Sequence, residues 1–166
     1  MRGRNLRRLA CFLVICGLST AGPAAWAVNK NDPINIEADS ADLKEDVSVY
    51  TGRVRLTQGG MVLSGDRLVV RKGTGGNFNL SLSGRPANIY QPPEQQGAAP
   101  IRGSAHQIEY GSGQEILELR GDAAIDRGGE KIAGESIRYN VRERRTLVNN
   151  NGTSGGRVKI TLQPGQ

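Results

Sequence analysis

A glycine-punctuated alternation of apolar and polar residues leaves this chain little freedom in its fold. Ile34-Asn35-Ile36-Glu37-Ala38, Val54-Arg55-Leu56-Thr57, Ile108-Glu109-Tyr110 and Val158-Lys159-Ile160-Thr161-Leu162 alternate with period two. So do Leu80-Ser81-Leu82, Leu117-Glu118-Leu119, Ile125-Asp126 and Ile137-Arg138-Tyr139, while Leu68-Val69-Val70-Arg71 is more apolar. A helix repeats every 3.6 residues and scatters such a pattern, whereas a strand sends successive side chains to opposite faces. Gly59-Gly60, Gly75-Gly76, Gly111-Ser112-Gly113, Gly128-Gly129 and Asn151-Gly152 fall between the segments, where hairpin turns need positive φ. Gln91-Pro92-Pro93-Glu94-Gln95-Gln96-Gly97 reads as a surface loop. Short strands at near-regular spacing predict an all-β sandwich, roll or β-solenoid.

One hairpin unit recurs. Gly52-Arg53-Val54-Arg55-Leu56 aligns with Gly121-Asp122-Ala123-Ala124-Ile125 at an offset of 69 residues. The offset also superposes Gly59-Gly60 on Gly128-Gly129, Leu63 on Ile132, Gly65-Asp66 on Gly134-Glu135, Leu68 on Ile137 and Val70 on Tyr139. A partial copy runs from Gly84 through Ile89 to Gly103, Ile108 and Tyr110. Recurrence of this kind predicts stacked supersecondary units. The glycine before the acidic residue, at 65 and 134, predicts a bend within a strand.

The N-terminus has its own grammar. Arg2, Arg4, Arg7 and Arg8 precede an apolar run from Leu9 to Leu18, and Ala25-Trp26-Ala27 follows. Basic region, apolar run and A-x-A site predict a secretory signal peptide, residues 1–27, cleaved after Ala27. The apolar run is short of the roughly 20 residues a membrane-spanning helix needs. Residues 28–166 then form a single domain. Cleavage removes both cysteines and four of the 22 basic residues, leaving 18 basic against 16 acidic ones. Disulfides and cysteine-ligated metals drop out, and so does a broad basic footprint for nucleic acid.

Catalytic chemistry finds little to build on. His106 is the single histidine and predicts a place on a sheet surface rather than in a triad or metal site. Asp39, Asp42, Asp66, Asp122 and Glu135 supply carboxylates for glycoside hydrolysis in principle. Asp66 and Glu135 recur at equivalent positions, however, which favours a structural role at bends. Gly73-Thr74-Gly75-Gly76 lacks the Gly-Lys-Ser/Thr ending of a phosphate loop. No enzyme, cofactor or metal is expected.

Four motifs stand in order along the chain: Pro33-Ile34-Asn35-Ile36-Glu37-Ala38-Asp39, Tyr50-Thr51-Gly52-Arg53-Val54-Arg55-Leu56-Thr57-Gln58-Gly59, Gly84-Arg85-Pro86-Ala87-Asn88-Ile89-Tyr90-Gln91 and Gly103-Ser104-Ala105-His106-Gln107-Ile108-Glu109-Tyr110. Their order resembles the LptA (OstA-like) family of periplasmic lipopolysaccharide-transport proteins. The resemblance spans about residues 32 to 162. It implies an antiparallel β-jellyroll, or β-taco, with two facing sheets in an open V. It also implies head-to-tail homo-oligomers that take lipopolysaccharide from LptC at the inner membrane and pass it to LptD at the outer membrane. Ile89 stands where some relatives carry an aromatic residue.

A carrier of several acyl chains needs an apolar lining, because each methylene left in water costs about 0.8 kcal/mol. The alternation predicts that Ile34, Ile36, Val54, Leu56, Leu63, Leu68, Val70, Leu80, Leu82, Ile89, Ile108, Tyr110, Leu117, Leu119, Ile125, Ile132, Ile137 and Tyr139 line it. The same residues equally suit the closed core of an ordinary sandwich, and a structural β-protein that assembles through its edges without lipid is the competing reading. Arg53, Arg55, Arg67, Arg71 and Lys72 fall at outward or edge positions, within reach of phosphates. The first strand and the last, with unpaired backbone, predict strand addition between copies.

Overall fold

The strands run longer than their apolar residues suggest. The computed structural model describes residues 32–93, 97–140, 143, 145–150 and 157–162; the signal-peptide segment, part of the Pro/Gln loop and Asn151-Gly152 lie outside them. Among the described residues ten strands follow in order: β1 (Ile34–Glu37), β2 (Ser40–Leu43), β3 (Val47–Gln58), β4 (Met61–Lys72), β5 (Phe78–Gln91), β6 (Ile101–Gly111), β7 (Ile116–Arg127), β8 (Glu130–Asn140), β9 (Arg145–Asn149) and β10 (Lys159–Thr161). Leu117-Glu118-Leu119 and Ile125-Asp126, two segments in the sequence pattern, are halves of the single strand β7.

All ten belong to one antiparallel sheet, ordered β1-β3-β4-β5-β6-β7-β8-β10. At one edge β1 pairs with the end of β3 and β2 with its beginning. At the other edge β10 and β9 divide β8 in the same way. The two edges do not meet, so the sheet stays open.

The two facing layers are halves of this one sheet. Every ladder from β3–β4 to β7–β8 breaks register near its middle: at Thr51/Val54, Ser64/Arg67, Ser83/Ala87, Ser104/Gln107 and Arg120/Ala123. A bulge bends its strand and sharpens its twist. Five aligned breaks make a fold line across the sheet. The residue pairs Gly52-Arg53 and Gly121-Asp122, on β3 and β7, all take positive φ there. The glycines also have no room for a side chain: a Cβ on Gly52 would overlap the Asp39 carboxylate, and one on Gly121 would sit 2.7 Å from His106 Nδ1.

Side-chain size follows the distance from this line. The inward row beside it is small on five of six strands: Val54, Gly65, Ala87, Ala105, Ala123 and Gly134. The halves converge here, and larger side chains would force them apart. The next rows are large. Leu68, Leu82, Ile108, Leu119 and Ile137 stand in register on one half, opposite Leu56, Leu63 and Ile89 on the other. These residues form the core, and among the described residues it holds no buried polar or charged side chain.

An ionic clasp fixes the first edge at the fold line. The Arg53 guanidinium donates to both carboxylate oxygens of Asp39, with Nη2 2.6 Å and Nε 3.0 Å from Oδ1. The Asp39 amide donates to the Gly52 carbonyl at 2.9 Å. Arg53 hydrogen bonding therefore holds the Asp39 carboxyl below the usual aspartate range. A lowered folded-state pKa contributes stability above the unfolded value and loses it as pH falls through the folded one. The Asp39 amide is accordingly expected to lose protection in acid, below the ordinary carboxylate range. Hydrogen exchange, corrected for intrinsic rates, should show this loss in the parent chain and not in Asp39→Asn. Equal pH profiles in both would remove the clasp from the account.

Candidate functional site

Register turns the alternation into a continuous apolar seam. Reading across the sheet, Ile36 faces Leu56, then Leu63, Ile89, Gly103, Ile125, Ile132 and Ile160. Eight strands thus contribute to one inward row, and seven of the residues are Leu or Ile. On the other half a parallel row runs Ala41, Tyr50, Leu68, Leu82, Ile108, Leu119, Ile137 and Val148. Further from the fold line, Leu43, Ser48, Val70, Leu80, Tyr110, Leu117, Tyr139 and Thr146 form a third. The rings of Tyr110, within this row, and Phe78, one inward step beyond it on β5, tilt against each other 6.2 Å apart.

The expected lining residues all fall on this inward face, but in three environments. Val54, Leu56, Leu63, Leu68, Leu80, Leu82, Ile89, Ile108, Leu119 and Ile137 are buried against one another. Ile36, Val70, Tyr110, Leu117, Ile125 and Ile132 pack on that core and remain partly open. Tyr139 is partly open and Ile34 is exposed. Along the row from Ile36 to Ile160, the middle strands carry the buried Leu56, Leu63 and Ile89, and the row opens toward both edges of the sheet.

The seam also emerges at both edges. Among the described residues six large apolar side chains are exposed: Ile34, Leu43, Leu147, Val158, Ile160 and Leu162. Ile34 and Leu43 share the inward parity of Ile36 and Val70. Ile160, opposite Ile132, is inward too, and Val158 and Leu162 flank it at the same parity. Of the six, Leu147 alone, opposite Arg138, points outward. Exposed apolar residues gathered on one face, where scattered ones would need no explanation, mark a contact surface. Tyr50, Leu43, Val148 and Ile160 were absent from the sequence-derived lining. Leu43 and Val148 sit on short, mixed segments whose face the register reveals, whereas Ile160 belongs to the alternating run from Val158 to Leu162.

The outward face is mostly polar, with Val49, Val69 and Ile116 among its apolar members. Gln107 donates to Ser81 and Glu109, and Arg120 bridges Glu118 at 3.0 Å and Glu109 at 3.7 Å. A hollow of about 270 Å³ is lined by Arg71, Asn79, Ser81, Glu109, Glu118 and Arg138, with Leu80, Tyr110 and Ile116 beside them. Arg55 stands opposite Glu37 on the outward side, Arg53 is engaged by Asp39, and Lys72 lies at the rim opposite Phe78. His106 is exposed on the sheet, its Nε2 3.6 Å from Asp122. Among the described residues no group of three or more His, Cys, Asp or Glu is placed to hold a metal ion. None of their helices is long and apolar enough to cross a membrane.

Similarity to known proteins converges on one family. Residues 35–145 match the family described as LptA/(LptD N-terminal domain) LPS transport protein. The chain is 32% identical to the lipopolysaccharide export system protein LptA of Escherichia coli K12, over 96% of this chain and 88% of that one. It is 30% identical to LptA of Haemophilus influenzae, over 93% and 91%. LptH of Pseudomonas aeruginosa is 30% identical over 91% and 93%. The crystal structure of LptH, described as the LptA homologous periplasmic component of the lipopolysaccharide transport device, superposes with a TM-score of 0.74 at 26% identity. That match covers 82% of this chain and 99% of that one. An open, folded antiparallel sheet with an inward apolar seam, matched over nearly its whole length by these relatives, places the chain in the LptA/LptD N-terminal domain family of lipopolysaccharide transport proteins.

Proposed function

We propose that this protein carries lipopolysaccharide across the periplasm, shielding its acyl chains in the inward seam while the sugars stay in water. The carrying observation is the parity of the exposed apolar residues: five of six lie on the inward face, at the two open edges. A glycolipid with several acyl chains meets a barrier on the order of tens of kcal/mol in crossing water, at about 0.8 kcal/mol per methylene. A sealed core cannot offset that barrier. A seam that is partly open along its outer rows, and exposed at both edges, can.

The rows serve different ends in this reading. Ile34, Ile36, Tyr110, Leu117, Ile125, Ile132 and Tyr139 meet the tails first. Leu56, Leu63, Leu68, Ile89, Ile108, Leu119 and Ile137 close on one another when empty and part as the V widens. Val54 stays at the fold line. The polar outward face needs no catalytic residue, and the relatives are named as export and transport proteins. Export with signal cleavage after Ala27, receipt from LptC, delivery to LptD and head-to-tail assembly complete the proposal.

Ile36→Glu tests it. The substitution puts a carboxylate on the row at its first edge, on a residue only half-buried, so the fold should survive. Delipidated parent protein is expected to bind purified lipopolysaccharide saturably, and Ile36→Glu to bind at least 10-fold more weakly with an unchanged circular dichroism spectrum. Saturable binding of equal strength by both would leave the seam without its role.

A further inference from the structure

The two ends of one outward row carry opposite charges. Glu37 begins the row that passes through Arg55, Asn88 and Ala133, and Lys159 ends it. Both are exposed. The sign persists along each edge. Residues 32–39 carry Asp32, Glu37 and Asp39 and no cation, whereas residues 157–162 carry Arg157 and Lys159 and no acid.

Antiparallel pairing of β10 with β1 of a second copy can be followed position by position. Continuing the inward row sets Ile160 against Ile36 of the next copy. The neighbours then follow: Leu162 against Ile34, Val158 against Ala38, Lys159 against Glu37, Arg157 against Asp39 and Thr161 against Asn35. Every inward position pairs apolar with apolar, and two of the three outward ones pair opposite charges. A slide of two residues keeps the parity and loses the match. In one direction Lys159 meets Asn35 and Leu162 meets Asp32; in the other Thr161 meets Glu37 and Val158 meets Ser40. Either slide leaves a single opposite pair. Like edges fare worse, since β1 against β1 gathers only acids and β10 against β10 only bases. The other wall holds no such code. Continuing its rows sets Arg145 beside Lys44 of the next copy, and Leu147 beside Asp42, which Lys44 already holds at 3.5 Å.

We propose that these outward charges fix the register and the direction of the joint between copies: Lys159 and Arg157 of one copy meet Glu37 and Asp39 of the next. The apolar row alone tolerates a slide, because Val, Ile and Leu replace one another against β1. Opposite charges directly across a ladder stabilise it and like charges destabilise it, so the outward side discriminates where the inward side does not. Asp39 serves twice, clasping Arg53 within its own copy and meeting Arg157 across the joint. The inference rests on the head-to-tail reading above and adds to it the residues that set register and direction.

Light scattering over a concentration series at low salt tests it. Lys159→Glu and Glu37→Lys should each raise the concentration needed for growth about 10-fold, with unchanged circular dichroism spectra. An equimolar mixture of the two variants restores an opposite pair at every mixed joint and should grow like the parent. So should the double variant carrying both. Lys159→Glu combined with Asn35→Lys, one slide away, should stay impaired. Added salt should weaken growth of the parent and narrow its lead over the single variants. A mixture that grows no better than its components, or rescue by Asn35→Lys equal to that by Glu37→Lys, would overturn the register while leaving head-to-tail growth in place. Lys159 faces Ala133 within its own copy, so its reversal breaks no internal pair and decides the matter if Glu37→Lys, which faces Arg55, does not fold. Growth of Lys159→Glu like that of the parent would then overturn the proposal. A parent that does not grow at any concentration would overturn the head-to-tail reading and the register with it.

Discussion

Leu82→Ala is expected to destabilise the protein by about 2–5 kcal/mol, whereas Ile132→Ala should cost only about 1–2 kcal/mol and yet weaken lipid binding more. Both are large apolar residues on the inward face. Leu82 lies beside the fold line, 1% exposed, in register with Leu68 and Ile108 and in contact with Gly65 from the facing half. Truncation there leaves a cavity that the sheet cannot collapse to fill, since the small residues of the neighbouring row already bring the halves together. Ile132 lies one row out, partly open, between Ile125 and Ile160. Water already reaches it, so its loss removes less buried area. Thermal unfolding should show a fall of roughly 10 °C or more for Leu82→Ala and a few degrees for Ile132→Ala. Lipopolysaccharide titration, carried out well below both transitions, should rank the two the other way. A single order in both measurements would mean that core and cargo surface are the same set of residues, as in an ordinary sandwich.

Period-two alternation makes the strands and their inward faces legible in the amino-acid sequence alone. Ile36, Leu56, Ile125 and Ile137 are assigned correctly from their neighbours, because a strand obeys its own parity. Position across the sheet is not legible in the same way. That Ile36, Leu63, Ile132 and Ile160 share a row depends on five bulges, each of which shifts register without changing composition. The bends are visible only in part. Gly65 before Asp66 and Gly134 before Glu135 point to them. On β6 the break falls at Ala105-His106, where no glycine advertises it, and on β5 it includes a cis Arg85-Pro86 bond.

The polar-looking edge strands hide their apolar residues for the same reason. β2 reads Ser-Ala-Asp-Leu and β9 reads Arg-Thr-Leu-Val-Asn, too short and mixed to declare a buried face. Their pairing with β3 and β8 supplies it: Leu43 joins the row of Val70, and Val148 that of Ile137. The division of the inward face into shut and accessible parts is not legible either. Parity places Leu119 and Ile132 alike, and only the packing of the folded sheet separates them, Leu119 fully buried and Ile132 partly open.

Ile160→Glu is expected to abolish head-to-tail assembly while leaving the protomer folded. Eight strands lie on the path from β1 to β10 and alternate in direction, so the two edge strands run opposite ways. A second copy set beside the first by translation alone would then bring β10 against β1 in antiparallel register, extending the ladder without a change of pattern. Such a contact joins unlike surfaces and propagates as a filament. It would also set Ile160 of one copy near Ile36 of the next, prolonging the seam from protomer to protomer. A carboxylate at 160 enters that row with no cation on the inward face of β1 to meet it, since the inward residues there are Ile34 and Ile36. Burying it costs about 3 kcal/mol or more, a weakening of roughly 100-fold. Light scattering over a concentration series should show growth in the parent chain and in Leu147→Glu, whose side chain points outward, but a constant protomer mass in Ile160→Glu. Growth of Ile160→Glu like that of the parent would place the contact elsewhere, and a parent that never grows would leave the open edges serving the single chain alone.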